Sequence, residues 1–115
     1  MDACDYVRAL GADVCGIEID DQAKSIDRHS FQRSTAFLVG NEGSGLTTAH
    51  IALCDYLVYV PQYGSTECLN VNVAAGIVLH RFASTCGLAE APRAKNKFRP
   101  TELDAGTSRV VESPQ

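Results

Sequence analysis

The chain has 115 residues, 45% hydrophobic and 21% charged, with a formal net charge of -4. That length allows one domain at most, with a small core, and the acidic balance argues against strong non-specific binding to a phosphate backbone while leaving room for a local basic patch. The five cysteines, Cys4, Cys15, Cys54, Cys68 and Cys86, are odd in number and without C-x-x-C spacing, which argues against a zinc site or a disulfide scaffold and suits reduced thiols in an intracellular protein.

The chain opens on a short predicted helix, Ala3 to Leu10, with Asp2 as its cap and Gly11 where a left-handed residue is wanted. Asp2 and Asp5 also stand where a secretory signal would need an apolar region. Val14 to Ile19 (VCGIEI) reads as a strand. Asp20 to Ser34 is polar, with Lys24, Arg28, His29 and Arg33, and reads as a loop or a weak helical turn. Thr35 to Val39 (TAFLV) is a second strand and runs into a glycine-rich turn, Gly40 to Gly45. Thr47 or Thr48 then caps a short helix reaching about Cys54. Tyr56 to Val60 (YLVYV) is a third strand, closed by Pro61. After a polar loop the longest helix covers about Leu69 to Ser84, with Leu69, Val73 and Ile77, and Ala74, Val78 and Phe82, recurring at i, i+4 to give a wide apolar face. From Ala91 onward Pro92, Pro100 and Pro114 and scattered charges predict a disordered tail, so the expected division is a domain over 1–90 and a tail over 91–115. No run of about 18 apolar residues exists to span a membrane.

Strands that alternate with helices predict an α/β fold with a parallel sheet and flanking helices. Apolar runs without alternation predict strands covered on both faces. Three strands are few for this architecture, which implies a part of a larger domain or dependence on a partner.

The turn Gly40-Asn41-Glu42-Gly43-Ser44-Gly45-Leu46-Thr47 sits between strand and helix, where α/β proteins bind phosphates and cofactors. It is not a P-loop, because Leu46 occupies the lysine position and Glu42 sets a carboxylate where anions would be cradled. It also misses the dinucleotide fingerprint, because Thr48 replaces the third glycine and no acidic residue ends the following strand. The bland alternative is a turn without a ligand.

A later segment tells against that alternative. FLVGNEGSGL, VPQYG and CLNVNVAAG, in this order and spacing, resemble the second and third motifs of the SpoU-type (SPOUT) RNA 2′-O-methyltransferases over about residues 5–85. Gln62 resembles the branch that methylates tRNA guanosine ribose in eukaryotes. The resemblance implies a trefoil knot and S-adenosyl-L-methionine bound within it, held by main-chain groups of both motif loops. By position the cofactor residues are Gly40, Val60 and Leu69, with Leu38, Val39, Asn41, Pro61, Gly64 and Cys68 beside them. Cys68 replaces the usual serine, and a thiol is the poorer hydrogen-bond partner. Glu42 and Asn70 are placed at the reaction centre, against the plainer readings of a solvated carboxylate and a helix cap. On this basis Gly40→Val is expected to fill the space a ligand needs, and Asn70→Ala to leave the fold intact.

The family's partners are tRNA or rRNA, and it forms homodimers through the final helix, here the Leu69, Val73, Ile77 face. Its first motif, N-x-G-x-x-x-R, supplies an arginine to the reaction. This motif occurs nowhere in the 115 residues, and Arg8, Arg28 and Arg33 stand in the wrong context to replace it. The sequence therefore predicts an N-terminally incomplete catalytic domain that is inactive alone. The alternatives are a non-catalytic S-adenosylmethionine- or RNA-binding partner subunit and a degenerate structural domain. No metal site is expected.

Overall fold

The computed structural model describes residues 2–65, 67 and 69–98, and the chain divides into two compact units, Met1–Thr85 and Cys86–Gln115. In the first unit Asp2 caps helix α1 (Ala3–Ala9) by accepting a hydrogen bond from the Asp5 amide at 2.8 Å. Gly11 follows at φ +88°, in the left-handed region that costs glycine nothing. The chain turns there into strand β1 (Asp13–Ile17), buried from Val14 to Ile17 as its apolar run predicts.

β1 is central. It pairs in parallel with β3 (Thr35–Leu38) on one side, from Asp13↔Thr35 to Gly16↔Leu38. On the other side it pairs in parallel with β4 (Tyr56–Tyr59), from Cys15↔Tyr56 to Ile17↔Val58. A fourth strand corrects the expected count. Lys24–Ser25, inside the segment read as a loop, forms β2 and pairs in parallel with β4, so the order is β2-β4-β1-β3. Two residues are too few to show a period, which is why the pattern missed them.

Helix α2 (Thr48–Ala52) is capped by Thr47, whose hydroxyl accepts from the His50 amide at 3.1 Å. It stops short of Cys54. Helix α3 (Val71–Thr85) begins two residues after the expected start. The core joins Cys15, Ile17 and Val58 of the sheet with Val78 of α3 and with Ile26 and Phe31 of the 20–34 segment. Ile26 is 1% exposed, so this segment is anchored rather than free. Phe31, Phe37 and Phe82 meet edge to face, with ring centroids 5.1–5.7 Å apart, the arrangement their quadrupoles favour. Ala74, Ala75 and Phe82 turn α3 toward this core. Val73 and Ile77, read as part of the same apolar face, are instead 50% and 40% exposed.

In the second unit, β5 (Arg93–Ala94) and β6 (Lys97–Phe98) form a two-stranded antiparallel ribbon within the stretch expected to be a tail. The remainder of that expected tail, 99–115, lies outside the described residues.

Candidate functional site

Open parallel sheets bind ligands beyond the carboxyl ends of their strands. Here four segments surround a cleft of about 460 Å³ at that end: the exit of β1 (Ile17 to Ile19), the Gly40–Gly45 turn, the exit of β4 (Tyr59, Val60, Gln62) and the start of α3 (Leu69 to Val71, with Ala74). Of the residues singled out from the sequence, Gly40, Asn41, Glu42, Val60, Leu69 and Asn70 line it together. Leu38, Val39, Pro61 and Gly64 do not. Leu38 ends β3 before the turn begins, and Val39 is exposed at the strand's exit. At the other loop the residue lining the cleft is Gln62, between Pro61 and the exposed Gly64. Cys68 lies outside the described residues.

The glycine turn closes on itself. Gly45 N–H donates to the Asn41 carbonyl at 3.0 Å, and Asn41 N–H donates to the Gly45 carbonyl at 3.4 Å. Gly45 has φ +67°. A Cβ on Gly40 would sit 2.5 Å from the Gly45 carbonyl oxygen and run into the backbone of Gly45 and Leu46. Gly40 is therefore demanded by the turn's own backbone, in addition to lining the cleft. A Cβ on Gly45 would sit 2.5 Å from Glu18 Oε2, which places the Glu18 carboxylate against the turn.

Asn70 serves two elements at once. Its Oδ1 accepts from the Asn72 amide at 2.8 Å and the Val73 amide at 3.4 Å, capping α3. Its Nδ2 donates to Glu42 Oε1 at 3.5 Å, the outer limit for such a bond. The plain and the functional readings of Asn70 thus coexist in one side chain. The cap also ties the helix start to the glycine turn, 28 positions earlier. Gln62 Oε1 is buried without a hydrogen-bond partner among the described residues. Among the described residues the only charged side chains lining the cleft are the carboxylates of Glu18 and Glu42, so these residues favour a cationic or neutral ligand over an anion. Sequence reasoning missed Glu18. Its signal is position at the end of what proves to be the central strand.

Among the described residues no arginine or lysine lines the cleft. Arg8 donates to the Leu53 carbonyl and pairs with Asp55 at 3.4 Å. Arg33 pairs with Asp13 at 3.5 Å. In the core, burial and then the neighbouring Cys54 push the Cys15 thiol up to about 12. It is no nucleophile at neutral pH. Burial likewise pushes the Tyr56 hydroxyl up to about 12. Among the described residues no cluster of three or more His, Cys, Asp or Glu is placed to hold a metal, and no helix is long and apolar enough to cross a membrane.

This chain matches the SpoU rRNA Methylase family over residues 1–80. It belongs to that family. The SpoU chain is 37% identical over 67 residues to the 23S rRNA (guanosine-2′-O-)-methyltransferase RlmB of Acinetobacter baylyi, which covers 58% of this chain and 27% of that protein. It is 29% identical over 79 residues to the tRNA (guanosine(18)-2′-O)-methyltransferase of Escherichia coli, covering 69% of this chain and 34% of that one. The SpoU methyltransferase AviRb from Streptomyces viridochromogenes, solved in complex with the cofactor AdoMet, superposes with a TM-score of 0.58 at 32% identity, covering 70% of this chain and 31% of that one. The SpoU chain thus spans about a third of the length of such relatives.

Proposed function

We propose that this SpoU chain is the cofactor-binding part of an S-adenosylmethionine-dependent RNA 2′-O-ribose methyltransferase acting on tRNA or rRNA. The single observation that carries the reading is the convergence of the Gly40–Gly45 turn and the Leu69–Asn70 helix start on one cleft, tied by Asn70 to Glu42. The cleft fits the cofactor in kind. Its volume lies in the range of small-molecule sites. Ile17, Val60 and Leu69 offer apolar cover for a flat base. The carboxylates of Glu18 and Glu42 complement a sulfonium and an ammonium group. The trefoil knot implied by the motifs is part of the same reading.

When bound, the cofactor supplies an electrophilic methyl group to a ribose hydroxyl. The chain's residues hold and orient. Val60 and Leu69 shield the base, and the turn backbone near Gly40 and Asn41 offers polar main-chain groups. Glu42 and Asn70 sit where the ribose approaches, with the Asn70 amide within reach of the Glu42 carboxylate. In-line placement of donor and hydroxyl is the larger part of such catalysis, and removal of the hydroxyl proton is the rest. Among the described residues no cation lines the cleft, and in this reading the arginine of the family's first motif is supplied by another part of the full enzyme. This chain alone then transfers methyl groups slowly or not at all. We further propose a homodimer formed through the outward face of α3, with Val73 and Ile77 at its centre and Leu69 at its edge.

The test is calorimetric titration of the folded chain with S-adenosylmethionine and S-adenosylhomocysteine, followed by methyl transfer to tRNA and rRNA in the full enzyme. Saturable one-to-one binding is expected, with transfer to a 2′-hydroxyl. A flat titration on well-folded protein removes the proposal.

A further inference from the structure

We propose that a second cleft, beside the first, holds a phosphodiester of the RNA substrate. Lys24, Ser25, Arg28, His29, Ser30 and Tyr59 line a space of about 550 Å³ next to β2. Among the described residues no carboxylate lines it. Among the described residues neither Lys24 nor Arg28 has an ion-pair partner, whereas Arg8 and Arg33 both do. Two unpaired cations in one concavity are notable on a chain of net charge -4. They form a local positive site flanked by three hydroxyls, the donor set that phosphate oxygens accept from.

The frame that presents them is fixed. Lys24 and Ser25 are held in β2 against Val58 and Tyr59 of β4. The Ser25 carbonyl accepts from the Arg28 amide at 3.1 Å and the His29 amide at 3.0 Å, and the Ser25 hydroxyl accepts from the Asp27 amide at 3.2 Å. Ile26 and Phe31 pin the turn into the core on either side. The His29 ring packs against Phe31 and Tyr56 with centroids 4.5 and 4.6 Å away. This packing holds the His29 backbone and ring in place at the wall of the cleft.

Tyr59 lines both clefts, so an occupant of the second lies next to the first. The first cleft, with Glu18 and Glu42 as its charges, repels phosphate. An RNA that brings a ribose to it must be held by its backbone elsewhere, and Lys24 and Arg28 are placed to do that. The inference rests on the proposed reading of the chain as an RNA methyltransferase. Inorganic phosphate or a free nucleotide shares the same chemistry and is separated by the test.

The test is fluorescence anisotropy of the chain with a labelled 20-nucleotide RNA hairpin over a salt series. Cofactor calorimetry and phosphate titration run on the same samples. Removing one phosphate contact at near-physiological salt weakens binding about four- to fivefold, so the exposed double variant Lys24→Ala/Arg28→Ala should weaken it roughly 20-fold and flatten the log–log salt slope by about 1.5. Lys24→Arg should keep the hairpin affinity. Arg93→Ala/Lys97→Ala removes two exposed cations from the other unit and should leave it within about twofold. The inference is overturned if the hairpin does not bind, if both double variants weaken it equally, or if only inorganic phosphate binding is lost. Cofactor binding should be unchanged in every variant. Its absence from the parent chain would remove the methyltransferase reading, whatever the RNA result.

Discussion

At the scale of single residues, Gly40 and Asn70 separate folding from function. Because a Cβ on Gly40 meets the Gly45 and Leu46 backbone, Gly40→Ala should lower stability by about 3 kcal/mol or more. Gly43 has open space around it, so Gly43→Ala should stay within about 0.5 kcal/mol. Thermal melting of the two variants decides this, and equal losses would mean that the turn adapts. Asn70→Ala should cost about 1 kcal/mol through the lost cap while leaving the fold intact. Asn70→Asp keeps a capping oxygen but puts a carboxylate against Glu42. It should melt near the parent and still lose methyl transfer in the full enzyme. If Asn70→Asp turns over normally, Asn70 acts only as a cap. The polar pair was legible in the sequence because the motifs that bear Glu42 and Asn70 are specific. Glu18 was not, because a glutamate after an apolar run reads as an ordinary strand end until the strand order shows that the strand is central.

At the scale of elements, Asp55 joins the α1–β1 and β4 ends of the sheet. Its Oδ2 accepts from the Val14 amide at 2.7 Å while Oδ1 faces Arg8. Asp55→Ala leaves a partly buried amide without a partner and should cost about 1–3 kcal/mol in chemical denaturation. Arg8→Ala, which loses a half-exposed ion pair, should cost less, about 1 kcal/mol or under. The reverse ranking would shift the weight to the Arg8 contact with Leu53. The elements themselves were legible where the apolar run was long enough: β1, β3, β4 and the three helices fall within a few residues of their expected bounds. β2 was illegible because its two residues, Lys24 and Ser25, are polar and extended only by virtue of β4. The apolar face of α3 was legible as a stripe, but its partition was not. Periodicity gives Val73 and Val78 equal standing, and packing alone buries Val78 and leaves Val73 outside. If that outer face joins two copies, Ile77→Glu should yield a monomer by light scattering with an unchanged melting temperature. A variant that stays dimeric would place the interface elsewhere.

For the whole molecule, the buried titratable groups set the pH range of the fold. Cys15 ionises at about 12 when folded against 9.0 when free, and Tyr56 at about 12 against 10.0, both mainly through burial. The unfolded chain releases these protons first. Stability is therefore complete below pH 9 and falls as pH rises toward 12, by up to about 4 kcal/mol for Cys15 alone. Cys15→Ala should flatten the part of this loss that begins near pH 9 in urea melts. On the acid side, burial and then the charge of Lys24 lower His29 below 6.5, against an opposing pull from Asp13. The unfolded chain takes up that proton first, so stability should fall as pH drops below 6.5.

The parallel sheet also governs the order of assembly. None of its strand pairs can close as a hairpin. Lys24 and Ser25 find their only strand partners at Val58 and Tyr59, more than thirty positions later. On a translating ribosome, the local hydrogen bonds of the 25–29 turn need no later residue, but β2 has no ladder to join until the chain through Tyr59 has emerged. Long-range pairings of this kind form slowly. The second cleft thus becomes possible before the first, which waits for the chain through Ala74, and a nascent chain stalled before Tyr59 would carry both cations without the wall they share.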